Sequence, residues 1–129
     1  MGTLASRDEV QRFIDHLRYA LAEGGYRFFL PDRDKNREAL TILGINPRTV
    51  KTHLMLLRVE DYCEGPNQDP QGRYPGFSWI FRLRFGQHWL YVKLKIIDEV
   101  RLVKCLSFHP EEYGLKPVYD DPGRETGQR

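Results

Sequence analysis

Between Trp79 and Ile97 apolar and polar residues alternate, and no other stretch limits the fold as tightly. Trp79, Phe81, Leu83 and Phe85 fall on one side of an extended chain and Arg82 and Arg84 on the other, after which Gly86-Gln87 turns it. Over 88–97 the same separation sets Leu90, Val92, Leu94 and Ile96 against Trp89, Tyr91, Lys93 and Lys95. Two such strands joined by a short turn make an antiparallel hairpin with one apolar face, which needs a second layer to cover it. A third strand is predicted over 101–109. The unit from Trp89 to His109 thus ends in an aromatic, basic, histidine-bearing edge.

The hydrophobic pattern also predicts a register. A three-residue loop joining 97 to 101 sets Tyr91 opposite Ser107 and Trp89 opposite His109, with Val92 beside Leu106 and Leu90 beside Phe108 on the apolar side. A two-residue loop would mix the faces. The three-residue register leaves Lys104 beside Leu94 on the mainly apolar side.

The covering layer is read upstream. Ser6 and Glu9 have the spacing of a capping box, and Val10, Phe13, Ile14, Leu17 and Leu21 recur at helical intervals until Gly24-Gly25, which predicts a helix over 7–23. A short strand follows at 26–30, closed by Pro31. Asp34 can cap a second helix carrying Ala39, Leu40, Ile42 and Leu43 and stopped by Gly44. Asn46-Pro47 restarts the chain as a third helix over 47–57, with Val50, Leu54 and Leu57 on its buried side. Arg48, Lys51, Thr52 and Arg58 read as its solvated face rather than as a DNA-reading surface. Residues 60–78, rich in Gly, Pro, Asn and Asp, are predicted as one long surface loop. The fold class is α+β: an antiparallel sheet of three to five strands against two or three N-terminal helices. A chain of 129 residues is read as one domain, with residues 1–5 and 121–129 as loose tails.

Twenty Lys and Arg against eighteen Asp and Glu give a formal charge of +2, too small by itself to indicate a polyanion partner. The distribution is more informative. Arg73, Arg82, Arg84, Lys93, Lys95, Arg101 and Lys104 face only Asp98 and Glu99 over the same span, so the β half carries a local cationic surface. Cys63 and Cys105 do not form a scaffold pattern and are expected as two reduced thiols. The charged start (Arg7, Asp8, Glu9, Arg12) is unlike a signal peptide, and no run approaches the roughly 18–20 apolar residues of a membrane span. A cytoplasmic protein is expected.

Alternation of Trp89 and Tyr91 with Lys93 and Lys95 exceeds what a wet sheet face requires. It offers stacking surface for bases and cations for phosphates, the combination expected for single-stranded RNA or DNA; burial of the rings under a helix, with the lysines reaching outward, is the plainer explanation. His109, at a strand end before Pro110, is a candidate general acid or base beside that face. His16, His53 and His88 have no evident partner. No His-x-x-x-His, paired-Cys motif or phosphate-cradling glycine loop occurs, so neither a metal nor a nucleotide cofactor is expected.

Taken in order, Phe-Leu-Pro-Asp-Arg-Asp-Lys-Asn, Leu-Gly-Ile-Asn-Pro-Arg-Thr-Val, Val-Glu-Asp-Tyr-Cys-Glu-Gly-Pro, Trp-Leu-Tyr-Val-Lys-Leu-Lys-Ile and Cys-Leu-Ser-Phe-His-Pro resemble the motility-quorum-sensing-regulator family of bacterial type II toxins, over about residues 10–119. The resemblance implies a RelE-like fold and an mRNA interferase silenced by a partner antitoxin protein. It assigns Tyr91 to the family's tyrosine-x-lysine strand. His109 falls where the family has a lysine after its final-strand serine, Ser107 here. Glu64 stands where another family lysine is found, a departure from the pattern. The expected chemistry is metal-independent RNA cleavage by attack of the 2′-hydroxyl, with His109, Tyr91 and Lys93 as catalytic candidates. Lys95, Arg82, Arg84, Trp89, Ser107 and Arg73 are the RNA-binding candidates. A non-catalytic RNA- or ribosome-binding module and a protein-interaction domain are the alternatives.

Overall fold

A computed structural model describes residues 4–69 and 76–119. Its elements are α1 (Arg7–Ala22), β1 (Arg27–Phe29), α2 (Asp34–Leu43), α3 (Pro47–Leu54), β2 (Tyr62–Asp69), β3 (Gly76–Phe85), β4 (His88–Ile97) and β5 (Leu102–Pro110). Among the described residues the strands form one sheet in the order β1-β5-β4-β3-β2, with β1 parallel to β5 and every other pair antiparallel. The α+β class is therefore observed, with a mixed five-stranded sheet and three α-helices. No helix among the described residues is long and apolar enough to cross a membrane.

Local signals account for the helices. Ser6 and Glu9 form the reciprocal capping box of α1, and the Asn46 side chain accepts from Thr49 N–H at the start of α3, where Pro47 occupies the first turn. Gly44 closes α2 in the left-handed conformation. Asp34 is not a cap: Arg33 takes that position without a side-chain bond, and Asp34 lies inside the first turn. Helix α3 ends three residues before the predicted 57: the N–H groups of Leu56 and Leu57 bond the carbonyls of His53 and Leu54 in tighter turns, and Arg18 donates to the carbonyls of Met55 (3.2 Å) and Leu57 (2.7 Å).

One face of the sheet is covered. Phe81, Leu83, Leu90, Val92, Leu94, Val103, Cys105 and Phe108 share a core with Val10, Ile14, Leu17 and Leu21 of α1 and Val50 and Leu54 of α3. Each such side chain contributes about 1.5–3 kcal/mol when fully buried, so the alternation read from the sequence decides which face is covered. Both cysteines are free and buried.

Two regions differ from expectation. The long loop predicted over 60–78 contains a short turn at Val59–Asp61 and an eight-residue edge strand, β2. Gly and Pro obscured it because β2 is bulged between Tyr62 and Glu64 and again before Asn67. Gly65 has φ +121°, and a Cβ there would meet the Ser78 carbonyl oxygen at 2.8 Å, so the close approach of β2 to β3 requires glycine. The start of the chain is also held. Ala5 N–H donates to the Tyr62 hydroxyl (2.8 Å), and the Ala5 carbonyl accepts from Tyr119 Oη (2.6 Å), although both Leu4 and Ala5 belong to the expected loose tail. Residues 1–3 and 121–129 of the expected tails lie outside the described residues.

Candidate functional site

The face of the sheet opposite the helical core is organised in rows that follow the strand register. Arg82, Tyr91 and His109 form one row and Arg84 and Trp89 the row above it. Below run Glu64, Ile80, Lys93 and Ser107, and then Asn67, Ser78, Lys95, Lys104 and Phe29. The expected pairing of Tyr91 with Ser107 and of Trp89 with His109 is overturned: Tyr91 faces His109, and Lys93 faces Ser107. Val92 accordingly pairs with Phe108 and Leu90 with Pro110.

The loop and a bulge cause this. The connection holds four residues, a 3-10 turn at Asp98–Val100 followed by Arg101 with φ 49°, and the pairing slips by one at Leu106. The four-residue turn, which precedes the bulge, also removes the conflict over Lys104, which leaves the apolar side and stands opposite Lys95. Leu106 is buried on the open side. Asn36 of α2, itself 2% exposed, stabilises the slip. Its amide nitrogen donates to the carbonyls of Pro31 (3.2 Å) and Leu106 (3.3 Å), while its oxygen accepts from Phe108 N–H (3.1 Å). A side chain thereby serves the backbone groups that a neighbouring strand would otherwise pair. The sequence held a signal for it, a polar residue in the helical stripe of Ala39, Leu40 and Leu43.

The predicted cations divide into two groups. Lys95 is buried, with Nζ 3.2 Å from the Asp69 carbonyl and 3.4 Å from its carboxylate. This pair ties the end of β2 to β4 and relieves the repulsion of two lysines directly opposed. Lys95 is not a solvent-facing phosphate ligand. Arg82 is similarly engaged: it donates to the Leu115 carbonyl at 2.9 Å, lies 3.9 Å from the Glu111 carboxylate and sets its guanidinium 3.8 Å from the centroid of Trp89. Arg84 donates to Gly86 O at 2.6 Å and also approaches Trp89, at 5.1 Å. The Trp89 ring is thus covered on one face by an intramolecular cation. Arg73 lies outside the described residues.

Lys93, by contrast, makes no ion pair or hydrogen bond with the described residues. It borders a depression of about 250 Å³ with Arg33, Tyr91, Lys104 and Ser107, and with Asp69 on one side. Arg33 and Lys104 are members that the sequence did not place there. The Tyr91 and His109 rings stack at 5.5 Å and 25°. Burial, and then the Glu64 charge, hold the Tyr91 phenol above its ordinary pKa, so it stays protonated and able to donate well beyond neutral pH. His109 Nδ1 lies 3.0 Å from the Pro110 carbonyl, which favours Nδ1–H as the donor and leaves Nε2 as the basic nitrogen. Glu64 bonds Asn67 at 2.7 Å. His16, read as unpartnered, pairs with Asp98 at 2.8 Å on a different part of the molecule.

No protein family, curated protein or solved structure matches this chain. The resemblance to the toxin family therefore rests on the quoted motifs. No group of three or more His, Cys, Asp or Glu among the described residues is placed to hold a metal ion.

Proposed function

We propose that the open face cleaves single-stranded RNA without a metal, as a toxin-like mRNA interferase of RelE-like type whose activity an antitoxin protein would restrain. The observation that carries this is the juxtaposition of a stacked tyrosine–histidine pair with a lysine in the adjoining row that has no ion-pair partner among the described residues. The 2′-hydroxyl attacks the adjacent phosphorus, the P–O5′ bond breaks, and the products are a 2′,3′-cyclic phosphate and a 5′-hydroxyl. His109 moves the proton between the attacking or leaving oxygen and solvent. Tyr91 donates a hydrogen bond to the phosphoryl group. Lys93, with Lys104 and Arg33 beside it, offsets the charge that develops on the non-bridging oxygens. Lys95 and Arg82, candidates for that role from sequence, are engaged within the fold. Ser107, opposite Lys93, supplies a further hydroxyl at the same row.

Incubating the protein with RNA in EDTA and mapping the product ends tests this. The expected result is cyclic-phosphate and 5′-hydroxyl termini, lost in His109→Ala. Absence of cleavage combined with salt-sensitive RNA binding would instead indicate a non-catalytic RNA-binding module.

A further inference from the structure

Beyond β5 the chain folds back over the open face as a pinned arch. Glu111 N–H donates to the Trp89 carbonyl (2.9 Å), Leu115 N–H donates to the Glu111 carboxylate (3.2 Å), and the Leu115 carbonyl accepts from Arg82 (2.9 Å). Arg82, counted from sequence as an RNA ligand, thus anchors the arch. Tyr113, between these anchors, is 83% exposed. Arch and sheet enclose a cleft of about 290 Å³ lined by Lys35, Tyr91, His109, Glu112, Tyr113 and Leu115. Three of those six residues are aromatic rings, and Lys35 and Glu112 form a 2.6 Å ion pair among them. Tyr91 borders this cleft and also the depression of Lys93, Arg33 and Lys104. An aromatic cavity and a cationic one therefore meet at a single side chain. Those are the two surfaces a nucleotide presents, a flat base and a phosphate.

We propose that the cleft under Tyr113 is a nucleobase subsite for a residue adjoining the cleaved phosphate, an inference that rests on the RNA-cleavage proposal above. The base stacks against Tyr113, with the Tyr91–His109 pair as part of the facing wall. Its polar edge meets the Lys35 ammonium as donor and the Glu112 carboxylate as acceptor, which exchange their mutual ion pair for it. A nucleotide satisfies both, its base against the stacking walls and its phosphate against the adjacent cations, which an apolar peptide would leave without an anion.

The test uses the isotope-labelled full chain, titrated with each 3′-nucleoside monophosphate and separately with inorganic phosphate while amide resonances are followed. Nucleotides should shift 109–115 together with Lys93 and Ser107, whereas inorganic phosphate should shift only the latter region. Because Tyr113 is so exposed, Tyr113→Ala should fold normally. It should weaken nucleotide binding about 5- to 100-fold and leave inorganic phosphate binding unchanged, while Tyr113→Phe keeps the affinity. Identical shifts with phosphate and nucleotides, or wild-type nucleotide affinity in Tyr113→Ala, would overturn the subsite. Failure of the two proposals is distinguishable. Nucleotide binding as expected without RNA scission removes the cleavage proposal but keeps a base-binding cleft. Scission with rate and base preference unaltered by Tyr113→Ala removes the subsite alone.

Discussion

The open face of the sheet has two regions of similar composition and opposite chemical state. Around Trp89, Arg82 and Arg84 are matched to carbonyls, to Glu111 and to the indole ring. Around Tyr91 and His109, among the described residues, Lys93 has no such partner and Lys104 only a distant ring, that of Phe29 at 6.0 Å. A cation already bonded within the fold must give up that bond before it can bind phosphate, whereas an unmatched one loses only water. The number of basic residues on a face therefore matters less for polyanion binding than the number left unmatched.

The largest effect expected from this contrast is at the unmatched region. His109→Ala should lower RNA cleavage about 10²- to 10⁴-fold, measured under single-turnover conditions, while Arg84→Ala should change it little. Equal losses in the two variants would break the contrast.

A smaller effect concerns how the unmatched region is held in place. Asn36→Ala leaves the Phe108 N–H at the bulge without its side-chain partner and the Leu106 carbonyl with only the longer bond from Arg33, at 3.5 Å. It should cost about 1–3 kcal/mol of stability by denaturant unfolding, and the amides of 106–109 should exchange faster than those around Arg84. Wild-type stability and exchange would mean that the bulge forms without Asn36.

The smallest effect is confined to alkaline solution. Burial pushes the Cys63 thiol from its ordinary 9.0 up to about 12, with the Arg82 charge opposing the rise, and Cys105 is pushed up by the same cause. Folded pKa values above unfolded ones give stability that is complete below pH 9 and is lost as pH rises from 9 towards 12. Tm should therefore fall across that window, and less steeply in Cys63→Ala. A fall of the same steepness in both proteins would dismiss the thiol as its cause.

Much of the architecture was legible in the sequence because it depends on short-range rules. The capping box at Ser6, the Asn46-Pro47 restart and the alternation of 79–97 each act through neighbours in the chain. Strand β2 was not legible, since its two bulges break the period of two and its Gly65 looks like a loop residue until Ser78 is placed against it. The site was legible as a face but not as a set of pairings. Periodicity put Tyr91, Lys93, Lys95, Ser107 and His109 on one side of the sheet, yet a four-residue turn and the slip at Leu106 decided which of them meet. Whether a lysine is engaged depends on Asp69, 26 positions away in sequence from Lys95. No local pattern encodes that distance.

Lys93 and Lys95 stand two residues apart on β4, one on the open face and unmatched among the described residues, the other buried against Asp69. Their behaviour tests the account most directly. The measurement is the RNA cleavage rate per folded molecule, alongside Tm, for Lys93→Met and Lys95→Met. Lys93→Met should lose about 10²-fold in rate with Tm unchanged. Lys95→Met should keep its rate and lose about 2 kcal/mol of stability, because the Asp69 carbonyl and carboxylate lose their bonds to the buried ammonium. Full activity in Lys93→Met, or a loss of rate in Lys95→Met with Tm unmoved, would contradict it.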